Sequence, residues 1–473
     1  MFKLISFLLA GAILSLAILA GARYPGSWAV YLGFSVVANA LLLNGFRRRA
    51  IYFDTFIGVF LWLGFWLKLS IRVAFSAGQF REPTGMFDGS GAAFDQALIV
   101  SSCGLAAFIV AGLVRERCFS YPAEPASCRS SGLFHFYAAH RFPLVAAFLA
   151  LVLAVAGSNA WLGIYQRGMV SQTILPFGLN GAYKWLLQFG LASVSALIIR
   201  FELELNRGVT MMALIPPLLE SFLSNVSLLS RGMILNTGAL LLGGWRWCAA
   251  QRLRVGLRRS AIVGISVAAF FLVSVLAVNY LRVFSFDDSQ APAQAAASAS
   301  VDATTPLFID RWVGIEGVLA VTSSDRLGWE VWQAAWQERF DERQFSLYDR
   351  HFVSGHYASV QLNTSRNHFV NLPGLIAFLY YPGSLSFLFA AVLLAAWLAA
   401  GLEILTYRIC DGNWILCSLF AQVVAFRFAS FGYVPLQSYL LFGSLLLNIV
   451  ALAAADRLLS LPRQRRGDPT ERT

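Results

Sequence analysis

Charged side chains are scarce in this 473-residue chain: Asp, Glu, Lys and Arg make up 13% of it, against 58% apolar residues. Soluble domains carry nearer to about 25% charge, so a soluble globular protein is excluded and a polytopic membrane protein is implied. Acidic residues are the scarcer sign, 25 against 36 basic, for a net charge of +11. That excess does not point to nucleic acid, because the basic residues fall in short connections between apolar runs, where they set membrane orientation. Cysteine is sparse as well. The six cysteines show no CxxC or metal-ligand spacing and none lies in the polar stretch 282–383, which therefore has no disulfide framework. His351 and His356 stand five residues apart without a cluster of carboxylates, so no metal site is expected. No GxSxG follows a strand, and no Walker or dinucleotide glycine pattern appears, which excludes the corresponding hydrolase, ATPase and Rossmann chemistries. No repeat relates the two halves, which weighs against the inverted-repeat plan of many transporters.

What is present is a series of continuous apolar runs, each near the roughly 20 residues that a helix needs to cross hydrocarbon. Continuous rather than alternating runs call for helices, not a barrel. The expected fold is an all-α polytopic membrane protein with about twelve transmembrane helices, at roughly 4–21, 28–45, 51–70, 95–114, 142–158, 182–199, 209–226, 232–247, 261–281, 384–406, 413–430 and 438–455. Residues 1–21 resemble a secretory signal but read as an uncleaved first span, since spans follow throughout. The chain then divides into helices one to nine (1–281), one large helical loop (282–383), and helices ten to twelve with a tail (384–473).

Basic residues orient it. Starting inside, Arg47, Arg48 and Arg49, then Arg115, Arg117 and Arg129, then Arg246, Arg252, Arg254, Arg258 and Arg259, and finally Arg463, Arg465 and Arg466 all fall on the cytoplasmic side. The long loop is then outside, in a bacterial periplasm, with both termini cytoplasmic. Against that bias, Lys68, Arg72, Arg81, Arg167, Lys184 and Arg231 stand at or near the outer face. Either they snorkel singly to headgroups, or several converge on one anionic lipid headgroup. Arg231, in a very short hairpin between two spans, is the strongest case for the second.

The loop has parts. DDSQAPAQAAASASVDATTP is small, polar and Pro-containing, and reads as a linker. DRWVGIEGVLAVTSS has apolar residues at helical spacing (Trp312, Ile315, Val318, Leu319), the mark of an amphipathic helix lying on the bundle. In GWEVWQAAWQERFDER, Trp329, Trp332 and Trp336 suit the membrane interface or stacking on sugar rings. SRNHFVNLPGLIAFLYYPGS is too short and too broken by Pro and Gly for an ordinary span, so a helix that dips or lies flat is expected there.

Arginine grips phosphate with a planar, permanently charged fork. Fixed cations stabilise a departing diphosphate more than its ground state, and need no metal or other cofactor to do so. Arg231, Arg81, Arg167 and Lys184 are the candidate diphosphate ligands. His368 is the candidate proton acceptor, with a structural or capping histidine as the alternative. Arg311 and Glu316 complete the candidate catalytic set, with an exposed ion pair as the alternative for Glu316.

The order of these features resembles the O-antigen polymerase family (Wzy-type) and its relatives, the O-antigen ligases. The likeness rests on LLSRGMILNTGALLLGGW around Arg231, DRWVGIEGVLAV around Arg311, and NHFVNLPGLIAFLYYPGS around His368. Arg167 and Gly178 also fit an R-x10-G pattern found in some of these polymerases, a match that chance alone produces in a chain this rich in Arg and Gly. The resemblance implies a GT-C-like, metal-independent glycosyltransferase acting on undecaprenyl-diphosphate-linked oligosaccharide. Arg231 and Arg311 would hold the diphosphate, His368 would orient or deprotonate the acceptor, and membrane lipids and a chain-length-regulating co-polymerase would be partners. The first outer loop, ARYPGS, lacks the carboxylate of metal-dependent relatives of that fold. The alternatives are a ligase acting on lipid A-core, a lipid-linked sugar transporter or flippase, and a structural partner of a polysaccharide complex.

Overall fold

The computed structural model describes residues 2–230, 232–253, 257–286, 309–341, 344–353 and 370–464. Among these the secondary structure is helical throughout, without a strand. Eight helices are long and apolar enough to cross a membrane: Trp28–Gly45, Tyr52–Ser76, Gly91–Arg115, Arg141–Leu162, Pro176–Asn206, Gly264–Leu281, Leu385–Ile409 and Pro435–Ser460. Ala10–Arg23 and Trp414–Ala429 are apolar but shorter. The expected spans at 209–226 and 232–247 are also helical, as Met211–Ser227 and Ile234–Ala250. The first of these carries Pro216, Pro217 and Glu220, which lower its hydropathy without breaking the helix.

Helix starts follow local chemistry. Ser90, Ser131 and Thr210 each accept a hydrogen bond from the backbone N–H three residues on, which satisfies a donor that the first turn leaves open. Two spans are interrupted by π-turns, Trp62–Leu67 in Tyr52–Ser76 and Leu186–Gly190 in Pro176–Asn206. Such turns displace the side chains that follow them and concentrate at functional positions.

The chain folds as two compact units. The first comprises 1–121, 303–401 and 424–438, so the described part of the long loop packs with the early spans. Helix Ile315–Thr322 is buried at every position, rather than lying on the bundle with one wet face. Its approach depends on glycine: a Cβ on Gly64 would collide with the Val313 carbonyl, one on Gly314 with the Gly64 carbonyl, and one on Gly317 with the Pro373 carbonyl. Burying Ile315, Val318, Leu319 and Val321 contributes roughly 1.5–3 kcal/mol each. Arg311 lies in the turn before this helix, not on it. Helix Leu375–Leu379, all five residues buried, precedes the turn into Leu385–Ile409. It is a short helix broken off by the turn at 380–384, as its Pro and Gly content foretold. Trp332 and Trp336 pack on Phe378 at ring-centroid distances of 5.0 and 5.6 Å, whereas Trp329 is 53% exposed.

The second unit comprises 122–302, 402–423 and 439–473. Its core joins Phe134, Tyr137, Phe148, Leu187, Leu191 and Phe201. Polar nodes close one end. Glu202 accepts from Tyr137 at 2.8 Å, from Arg141 at 2.6 and 2.5 Å, and from Thr210 at 2.9 Å. Arg200 donates to the carbonyls of Cys410 and Asp411 at 3.1 and 2.7 Å, a cation placed on the carbonyl end of the helix before it.

Candidate functional site

Lys68 and Arg72 stand one turn apart, just after the π-turn in Tyr52–Ser76, and so share a face of the helix. Lys68 is 1% exposed. An ammonium has three protons to place, and Lys68 places them on the Glu316 carboxylate, the Asp310 carbonyl at 2.9 Å and the Trp312 carbonyl at 2.7 Å. Arg72 donates to one carboxylate oxygen of Asp310. Arg81 Nε lies 3.6 Å from the other, with its side chain 62% exposed. Arg311, next to Asp310, is exposed. The junction between the long loop and the early spans is thus a cationic cluster in which the inner members, Lys68 and Arg72, engage carboxylates while Arg81 reaches water. Burial pushes the Glu316 carboxyl above the ordinary glutamate range, against the pull of Lys68.

A second polar assembly lies further along the loop in the same unit. Asp349, fully buried, accepts from Ser346 Oγ at 2.7 Å and from the Asn371 amide side chain and backbone at 2.8 and 3.2 Å. Glu338 accepts from the backbone N–H of Leu347 and from that of Val434 at 3.1 Å, which ties 338–347 to the 431–437 connection. Burial raises the Glu338 carboxyl, and those two N–H donors oppose the shift. Beside it opens a cavity of about 500 Å³ lined by Gln337, Glu338, Arg339, Phe340, Arg350 and Tyr433, among others. Aromatic faces with amide, carboxylate and guanidinium groups are the mixture that a sugar ring requires, and the volume falls within the range of small-ligand sites, about 300–1,000 Å³.

Of the residues singled out by sequence, Arg81, Arg311 and Glu316 come together at the junction in the first unit. Glu316 is buried in an ion pair rather than exposed in one. Arg167 and Lys184 belong to the second unit: the Arg167 backbone N–H donates to Leu228 O at 2.9 Å, and the exposed Lys184 ammonium sits 5.1 Å above the Tyr165 ring. Arg231 and His368 lie outside the described residues, as does His356. Sequence reasoning marked Lys68 and Arg72 as misplaced outer charges but passed over Asp310, Glu338 and Asp349. The signal that was available for Asp310 is its position beside Arg311 in a chain short of acids. Among the described residues, no group of three or more His, Cys, Asp or Glu is placed to hold a metal ion.

No protein family, curated protein or solved structure matches the chain.

Proposed function

We propose that the chain is a glycosyltransferase of the bacterial inner membrane that polymerises undecaprenyl-diphosphate-linked oligosaccharide repeats, on a GT-C-like plan of about twelve crossings with cytoplasmic termini. The observation that carries the reading is the cationic junction: Lys68 and Arg72 fix Asp310 and Glu316, and this seats Arg311 and Arg81 at the edge of the cluster. Guanidinium groups held there receive a lipid diphosphate as its bond to the glycan breaks.

Contacts between connections support the alternation of sides. Connections expected outside bond to one another: Arg72 and Arg81 with Asp310, Gly374 with Phe431, and Arg167 with Leu228. Those expected inside do likewise: Arg47 with Glu116, Arg129 with Glu204, and Ser131 with Asp456. Each pair lies within one unit.

In the reaction a hydroxyl of the incoming repeat attacks the anomeric carbon of the growing glycan. A carbon–oxygen bond forms there as the bond to the diphosphate oxygen breaks, and the electron pair leaves with the diphosphate. Arg81 and Arg311 hold that leaving group. His368 takes the hydroxyl proton, a role that rests on sequence resemblance. Glu316 acts as a positioning residue through Lys68, since burial keeps it from the acceptor. The cavity beside Glu338 takes acceptor sugars.

The test replaces Arg81 and Arg311 by Ala, singly and together, in the native host, with protein level and insertion monitored. The expected result is glycolipid with single repeats attached to its core. The Lys variants recover only part of the chain length, because an ammonium lacks the bidentate fork. Long chains accumulating on the carrier lipid identify a ligase instead, and unchanged long-chain polysaccharide overturns the assignment.

A further inference from the structure

Helix Met211–Ser227 carries a carboxyl that the proposed reaction does not use. Glu220 is 1% exposed. One of its oxygens accepts from Ser224 Oγ at 2.9 Å, and the other, Oε2, has no hydrogen-bond partner among the described residues. Nearby polar groups are already engaged. Asn225 donates to Ser274 Oγ at 2.8 Å and accepts from Met233 N at 2.9 Å, Ser221 Oγ donates to Met233 O at 3.2 Å, and Thr237 donates to Pro217 O at 3.3 Å.

Among the described residues no counter-ion bonds to it. The helices packed against this one are Arg141–Leu162, Leu191–Asn206, Ile234–Ala250 and Leu257–Phe286. Their charged and titratable residues are Arg141, Arg200, Glu202, Glu204, Arg246, Cys248 and Tyr280, together with Arg258, Arg259 and Arg282, whose side chains are outside the description. None of the described ones bonds to Glu220. Arg141 is bound to Glu202, Glu204 holds Arg129, and Arg200 holds backbone carbonyls. A carboxylate buried without a cation is far costlier than the neutral acid, and protonation is the remedy that needs no further group.

We infer that Glu220 is a proton-binding site: its Oε2 carries a proton in the folded protein at neutral pH, as a neutral acid inside the helix bundle of the second unit. The inference is independent of glycosyl transfer. It distinguishes Glu220 from every other acid considered above, each of which has a cation or backbone N–H groups to hold its charge.

Infrared spectroscopy of the purified full-length protein tests it. The wild type should show a protonated-carboxyl C=O stretch at neutral pH, shifted in D2O, that Glu220→Gln lacks. A second measurement needs no variant. Dicyclohexylcarbodiimide reacts with protonated carboxyls in apolar surroundings: the acid O–H adds across one C=N bond, nothing is released, and the adduct rearranges to a stable N-acylurea. Peptide mapping of wild type should place one label on Glu220, with the yield unaffected by sodium. Carboxylate bands alone at neutral pH, or no label on Glu220, overturn the inference. Protection of Glu220 by sodium also overturns it, in favour of a bound sodium ion.

Discussion

Lys68 and Glu316 pair where water does not reach, with side chains 1% and 7% exposed. Such a pair contributes little net stability over an apolar substitute, but removal of one partner strands the other. Lys68→Met leaves Glu316 without its counter-ion and leaves the Asp310 and Trp312 carbonyls without their donor. The expected cost is about 3–5 kcal/mol, read as a lowered unfolding temperature in detergent. The double variant Lys68→Met/Glu316→Leu should recover much of that loss, and the shortfall from additivity measures the coupling. A loss in the double variant equal to the sum of the Lys68→Met and Glu316→Leu losses would mean that the pair is not coupled.

Stability should also depend on pH, with a determined sign. Burial raises the carboxyls of Glu316 and Glu338 above the ordinary glutamate range. The folded protein therefore binds these protons more tightly than the unfolded chain, and unfolding releases them. Their contribution is fully present below the ordinary glutamate value and is lost as pH rises through the raised native values. The unfolding temperature, followed across that window, should fall less steeply with rising pH in Glu338→Gln than in wild type. A steeper fall in the variant would reverse the sign and contradict the assignment.

Much of the fold is legible in the sequence because its physics is local. The run 28–45 is bounded by Ser27 and by Arg47–Arg49, and it forms helix Trp28–Gly45 with the expected ends. All twelve expected spans fall on helices, but four of them, 4–21, 209–226, 232–247 and 413–430, are not among the eight long apolar ones. What was not legible is non-local. Glu316 reads as the wet face of an amphipathic helix because nothing near it in sequence neutralises it; its partner Lys68 lies on a distant span. The same holds for Gly64 and Gly314, unremarkable in sequence, whose missing side chains let loop and helix backbones touch. Candidate site residues were found where a charge defied the insertion bias, as at Arg81. They were missed where the charge was acidic, as at Asp310, since acids carry little orientation signal.

Orientation can be read from a native thiol. Cys118 is exposed, while Cys128, Cys248 and Cys417 are buried and Cys103 and Cys410 only partly accessible. Cys118 sits two residues from Glu116, which bonds to Arg47 at 2.9 Å, so both connections lie on one side of the membrane. In the proposed orientation, set by the basic residues around them, that side is inside. A membrane-impermeant maleimide should therefore label Cys118 in permeabilised cells and not in intact ones, and Cys118→Ser should remove most of the signal. Glu82→Cys, an exposed position beside Arg81, should behave the opposite way. Because the loss of two successive crossings would leave this pattern unchanged, alkaline phosphatase fused after Gly232 supplies the missing constraint. It is active only if Met211–Ser227 carries the chain across to the outer side. Labelling of Cys118 in intact cells would invert the whole arrangement and place the Asp310 cluster in the cytoplasm, where a carrier-linked repeat that polymerises outside never meets it.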